Sequence, residues 1–289
     1  MTIYTGTKRH QNIQVLFLPL FDKNITPLEN VTIIFDILLE YILEFIAAGI
    51  SDIGRKRDTN QDSIYLNNND HVYIVADGMG GHSGGELAST MAVKHMSEYL
   101  KSVNLSTSRD KHMKDAILFA NNQIKSFADN DETLKGMGTT VVSMIFGDDT
   151  VTIGNVGDSR AYLISRENLF QLSKDHSLVQ EKMNMGLYTR QQALEDPHKN
   201  ILSRTVGFEE NVKIDVFSYK LKKGDFFLIC SDGLHGKVSD EDIIYMIKKD
   251  LIGKKLNFTK IRDCVQRLVR QANENGGQDN ISVIIAAAQ

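Results

Sequence analysis

Short apolar runs alternate in groups with longer stretches of helical spacing along most of the chain. Residues 72–76 form one such run, which predicts a strand. Residues 86–100 carry Leu87, Met91, His95 and Met96 at helical intervals, and residues 111–127 read as a second helix. Strands then cluster at 140–146, 151–156 and 161–165, followed by 213–219 and 225–230. Residues 241–249 and 259–274 read as helices, and 281–287 as a last apolar strand. Helix pairs separated by runs of strands predict an α+β fold with mainly antiparallel sheets and helices packed outside.

The first forty residues differ in texture. Residues 1–30 mix short apolar pieces with turn residues and hold no period. From Val31, the acids Asp36, Glu40 and Glu44 recur four apart, opposite Ile34, Ile37, Leu38, Tyr41 and Ile42. That pattern predicts an amphipathic helix docked on the domain or on a partner, with a strand over 43–51 competing for its end. The chain divides on this reading into an extension, 1–42, of unknown role, and a domain over 43–289.

Composition narrows the classes. The 289 residues are 42% hydrophobic and 24% charged, which suits a globular chain able to bury a sizeable core. The net charge of −4 offers no basic field for nucleic acid. Two cysteines, Cys230 and Cys264, make neither a disulfide framework nor a zinc cluster and fit a reducing compartment. The most apolar stretch, 31–50, contains three acids, each costing about 2.5–3.5 kcal/mol near mid-bilayer, so no membrane span is expected. No secretory signal pattern opens the chain, and a cytoplasmic location is expected.

The chemistry is carried by four aspartates at predicted strand ends. Asp77 follows 72–76, Asp158 follows 151–156, Asp232 follows 225–230, and Asp279 precedes 281–287. Each has a small or turn-forming neighbour: Gly78, Ser159, Gly233 and Asn280. A glycine there lets the backbone turn or brings its carbonyl close to a ligand. One Asp-Gly is a common turn dipeptide. Four carboxylates delivered to sheet ends repel one another unless a cation neutralises them or their pKa values rise. An all-oxygen set favours Mg²⁺ or Mn²⁺ over zinc. The glycine-rich stretch 77–85 lacks the Lys-Ser/Thr ending of a nucleotide loop and suits tight backbone packing beside such a site. Upstream, residues 54–63 run basic then acidic. Arg57 there could fork two phosphate oxygens, and Asp62 could join the carboxylates.

These pieces, in this order, resemble the metal-dependent protein phosphatases of the 2C type. The matching segments are Ser51-Asp52-Ile53-Gly54 with Arg57 and Asn60-Gln61-Asp62; Val75-Ala76-Asp77-Gly78-Met79-Gly80-Gly81-His82; Gly136-Met137-Gly138-Thr139-Thr140; Asn155-Val156-Gly157-Asp158-Ser159-Arg160-Ala161-Tyr162; Lys174-Asp175-His176-Ser177; Cys230-Ser231-Asp232-Gly233-Leu234; and Gly277-Gln278-Asp279-Asn280-Ile281-Ser282-Val283. They span nearly all of 43–289. The Met-Gly-Gly-His form and the Leu-Ser-Arg-Thr-Val-Gly at 202–207 are most similar to the bacterial branch.

The resemblance implies a four-layer α-β-β-α sandwich of two antiparallel sheets, with a small flap subdomain at about 176–207. It implies two Mn²⁺ or Mg²⁺ ions and a weaker third. Asp77 would bridge two ions, with the Gly78 carbonyl on one. Asp232 and Asp279 would complete the first, Asp62 would serve the second, and Asp158 would help hold the third. A metal-bridging hydroxide would hydrolyse phosphoserine and phosphothreonine on proteins. Arg57 would hold the phosphate, and His82 is the nearest candidate for the acid that protonates the leaving group. The partners implied are phosphorylated proteins, with a cognate Ser/Thr kinase opposed by this chain. The sequence departs from the family at three places. Met79 stands where many relatives have their proposed acid, Gln61 where many eukaryotic relatives have a metal-binding Glu, and Gly236 where some have a further Asp.

Rival patterns are weaker. Cys264 and Arg270 satisfy a Cys-x5-Arg spacing, but with no glycine and in a helical stretch. Cys230 reads as core. His176 and His198 in the flap read as structural or surface residues, and Met183 and Met185 as packing. A pseudophosphatase acting as a scaffold is the alternative function, and loss of a core aspartate would have signalled it.

Overall fold

The computed structural model describes residues 43–289. These build two antiparallel sheets with helices on their outer faces. In the first sheet β1 (Phe45–Asp52) is the edge, followed by β11 (Ile281–Ala288), β10 (Phe226–Cys230), β7 (Arg160–Ser165) and β8 (Asn168–Gln171). In the second, β2 (Asp62–Asn67) is the edge, followed by β3 (Val72–Met79), β5 (Val141–Phe146), β6 (Thr150–Val156) and β9 (Asp215–Lys220). The two-residue β4 (Gly138–Thr139) pairs with the end of β3.

Alternation along each strand explains the layers. In β3, Val72, Ile74 and Ala76 join the core under α1 (Gly81–Ser102) and α2 (Arg109–Asp129). In β10, Phe226, Leu228 and Cys230 join the core under α6 (Asp240–Asp250) and α7 (Phe258–Glu274). The remaining strand positions face the opposite sheet. There Tyr73 meets the Phe146 ring at 5.7 Å, and Phe146 meets Phe227 of the other sheet edge-on at 5.3 Å. A short α5 (Asp232–His235) follows β10. The flap carries α3 (Leu178–Asn184) and α4 (Arg190–Glu195).

Helix starts follow local chemistry. Ser239 caps α6 by accepting from the Asp242 amide, and Asp240, Glu241 and Asp242 fill its first turn. Asn257 caps α7 through the Lys260 amide, and Thr189 with Gln192 forms a capping box on α4. Both chain ends of the sandwich close on each other: the Glu44 and Gln289 backbones exchange hydrogen bonds of 3.0 and 2.9 Å.

Several expectations shift. β3 does not stop at residue 76 but runs to Met79, so Asp77 and Gly78 lie inside it. α1 starts at Gly81 rather than 86. β2 and β8 had no sequence signal. Met185, expected to pack, is 72% exposed, whereas Cys230 and Cys264 are buried as expected. Residues 43–51 take the strand alternative, and the helix expected before them lies outside the described residues. No described helix is long and apolar enough to cross a membrane.

Candidate active site

Strand alternation delivers the first two carboxylates. Tyr73 and Val75 line the face between the sheets, and the next residue on that face is Asp77. Asp62 opens β2 directly opposite Asp77 in the β2–β3 register. Asp62 is 6% exposed, and its Oδ2 accepts a hydrogen bond from Ser231 Oγ at 2.8 Å. Ser231 Oγ accepts in turn from the Ser282 amide at 3.0 Å. The first sheet therefore reaches across the sandwich to hold a carboxylate of the second.

The first sheet supplies two further carboxylates at the same end. Asp232 is the first residue of α5, just past β10, and Asp279 lies two residues before β11. Asp279 Oδ1 accepts from the Asn280 amide at 2.9 Å, and its Oδ2 pairs with Arg57 Nη2 at 2.8 Å. Asn280 also fixes the Arg57 loop, donating from Nδ2 to the Ile53 and Thr59 carbonyls at 2.9 and 3.0 Å. Asp158 follows β6. Its turn is linked to Asp77 through Thr140, whose Oγ1 accepts from the Asp77 amide at 3.1 Å and meets Ser159 Oγ at 2.8 Å.

The glycines act by close approach. A Cβ on Gly78 would lie 1.9 Å from the Gly85 carbonyl oxygen, and one on Gly233 would lie 1.9 Å from that of Asn280. In both Asp-Gly pairs the missing side chain lets backbone meet backbone beside the carboxylate.

Burial and mutual repulsion raise the carboxyl groups. Burial first, then neighbouring charges, pushes Asp232 up to about 6, Asp62 to about 7 and Asp158 to about 8. Asp77 is raised well above the ordinary carboxylate range by burial, with Asp62, Asp232, Asp158 and Asp279 all adding repulsion. Among the described residues no three acidic, histidine or cysteine side chains close into a ready-made metal group. Asp77, Asp158, Asp232 and Asp279 border an open cleft instead.

The residues fit a hard divalent cation on one observation above all. Asp62 Oδ1 and Asp232 Oδ1 are buried and have no hydrogen-bond partner. A buried carboxylate oxygen with no donor is costly unless a cation takes that place. The cleft that Asp232 borders is about 470 Å³ and is lined also by Arg57, Asp77, Gly78, Asp158 and Asp279. A second cavity of about 670 Å³ continues past Asp158 and Asp232 beneath α3 and α4.

Seven of the eight residues singled out from the sequence thus meet at one end of the sandwich, six on the cleft and Asp62 buried beside Asp77. The eighth, His82, lies in the first turn of α1, and its side chain is outside the described residues. Sequence reasoning missed the residues that fix these carboxylates and their turns: Ser231, Ser282, Thr140 and Asn280. All four sit inside quoted motifs, Ser231, Ser282 and Asn280 in those of Asp232 and Asp279 and Thr140 in the glycine-rich one at 136–140, which was the available signal. It also missed His235, which donates from Nε2 to the Asp158 carbonyl at 3.1 Å.

Comparison with known proteins agrees with this geometry. A family model described as Protein phosphatase 2C matches residues 53–284. The serine/threonine phosphatase stp of Listeria welshimeri is 37% identical over 241 residues, covering 81% of this chain and 92% of that protein. Protein phosphatase PhpP of Streptococcus pneumoniae is 34% identical over 242 residues, covering 82% and 95%. Among solved structures, the catalytic domain of the serine threonine protein phosphatase PstP in complex with two manganese ions superposes with a TM-score of 0.75 at 28% identity, covering 85% of this chain and 99% of that one. Sequence match, shared sandwich and the gathering of carboxylates at one end of it lead to one assignment: the chain belongs to the protein phosphatase 2C family.

Proposed function

We propose that this chain hydrolyses phosphoserine and phosphothreonine on proteins in a reaction that needs Mn²⁺ or Mg²⁺, and that it opposes a bacterial Ser/Thr kinase. The observation that carries the reading is the pair of buried, partnerless carboxylate oxygens, one on Asp62 at the start of β2 and one on Asp232 just past β10.

Asp77, Asp232, Asp279 and the Gly78 carbonyl are the groups that would hold one ion, and Asp77 with Asp62 a second. Asp158 would hold a weaker third. When bound, such ions supply an activated water at neutral pH and stabilise charge on phosphoryl oxygens. Arg57 stands at the cleft wall with its guanidinium against Asp279, and with that carboxylate engaged by a cation it would be free to fork two phosphate oxygens. The cleft is polar, open and only about 470 Å³, which suits a phosphorylated side chain on a larger partner outside it. His82 stays the candidate for protonating the leaving hydroxyl, from its place at the start of α1. Retention of Asp77, Asp232 and Asp279 argues against the scaffold alternative.

The test is phosphate release from a phosphothreonine peptide with Mn²⁺, with Mg²⁺ and with EDTA, beside a phosphotyrosine peptide. Release from phosphothreonine that EDTA abolishes is the expected result. Equal release with EDTA, or none from folded protein with either metal, rejects the reading.

A further inference from the structure

Both ends of the flap and the turn that carries Asp158 meet at His176. This residue is 4% exposed. Its amide donates to the Gly157 carbonyl at 2.9 Å, and its carbonyl accepts from the Ser203 amide at 2.9 Å, at the flap's far end. The neighbouring residue Ser177 bridges to Leu202. The imidazole adds a third tie, since the Gly157 amide donates to His176 Nδ1 at 3.1 Å.

That last bond fixes the ring. An amide N–H can only donate, so Nδ1 carries no proton and the ring proton sits on Nε2. From there it is donated to Asp215 Oδ2 at 3.1 Å. Asp215 lies on β9 and is steadied at its other oxygen by Arg204 Nη1 at 2.9 Å. The Arg204–Nε2 approach of 3.0 Å sets two donors side by side, and both serve the same carboxylate. Gly157, at φ +105°, gives the turn little stiffness of its own. His235 holds the following carbonyl, on Asp158 itself, from the other side.

We propose that His176, oriented by Asp215, is a positioning residue that sets the Gly157–Asp158 turn, so that cation binding at Asp158 depends on the closed root of the flap. The inference rests on the reading of Asp158 as a metal ligand. Groups that orient ligands from behind commonly govern metal affinity by about 10–100-fold.

The test is Mn²⁺ titration calorimetry on the full chain. Asp158→Asn removes the weakest binding step and so identifies it. An unchanged isotherm in Asp158→Asn overturns the ligand reading, and the proposal with it, whatever His176 does. In His176→Asn the amide oxygen stands where Nδ1 stood and can still accept from Gly157, while the link to Asp215 is lost. In His176→Gln the side chain reaches toward Asp215 but the Nδ1 acceptor is gone. The weakest step is expected to fall by about threefold in His176→Asn and by about tenfold or more in His176→Gln, with the tighter steps unchanged. A wild-type weakest step in His176→Gln overturns the proposal, as does an equal loss at every step in both variants. Should His176→Gln fail to fold, Asp215→Ala, on a part-exposed edge strand, carries the test. An expected fall of about threefold in its weakest step supports the proposal, and an unchanged step overturns it.

Discussion

At the scale of single residues, the site is held together against its own charge. Asp232 is half-buried among Asp77, Asp62 and Asp279, with one buried oxygen lacking any donor. Asp232→Asn removes a ligand and a repelling charge at once. Turnover of a phosphothreonine peptide is expected to fall by about a hundredfold or more. The metal-free variant should melt no lower than the wild-type metal-free protein, because a like charge has left the cluster. Wild-type turnover at saturating Mn²⁺, or a lower melting point in EDTA, contradicts this. The raised carboxyl pKa values also carry a sign. The metal-free fold keeps protons on Asp232, Asp62 and Asp158 up to about 6, 7 and 8, whereas the unfolded chain releases them in the ordinary carboxylate range. These groups therefore favour the metal-free fold at low pH and cost it stability as pH rises through those values. A cation must displace the same protons, so Mn²⁺ affinity should rise by about tenfold or more between pH 6 and 8, with proton release in calorimetry. A flat affinity over that range removes the shared-proton account.

At the scale of elements, the aspartates were legible because each interrupts or abuts an apolar strand, and the strand cores of β3, β5, β6, β10 and β11 were strongly patterned. What surrounds them was not. β2 begins with a buried aspartate and continues half-exposed, so its sequence has no clean alternation to read. The start of α1 at Gly81 is hidden because Gly81, Gly84 and Gly85 look like a loop. Two of those glycines fit close packing: Gly85 faces Gln61 and the Gly78 carbonyl, and Gly84 faces Met137. Gly78→Ala tests that account. Its Cβ would meet backbone rather than a yielding side chain, so β3 or α1 must move. Expected are a loss of about 1–3 kcal/mol in urea unfolding of the metal-free protein and weaker Mn²⁺ binding. Wild-type values of both would mean that the glycine serves only its carbonyl. His176 shows the other limit of reading by motif. A single histidine in a predicted flap carries no periodicity, and only the fold reveals that its two nitrogens link Gly157 to Asp215.

At the scale of the whole molecule, every carboxylate of the site belongs to residues 43–289, whose strand β1 starts at Phe45. Glu44 is tied to Gln289 by two backbone hydrogen bonds, so a cut before Glu44 leaves the sheet edge intact. Removal of residues 1–42 is expected to leave metal-dependent kcat/KM on a phosphothreonine peptide within about threefold. A folded truncation that has lost this activity would give the extension a catalytic role.

The division of the carboxylates between the two sheets has a mechanical meaning. Asp62, Asp77 and Asp158 arrive on one sheet and Asp232 and Asp279 on the other. An ion shared between them, as proposed, would act as a rivet through both layers at the end of the sandwich where the repelling charges would otherwise pry them apart. Occupancy at a hundred times the dissociation constant is worth about 2.7 kcal/mol to the fold. The ion that would equip the cleft for chemistry would thus also be a fastener, and a cell short of it would lose cohesion of the protein along with its activity.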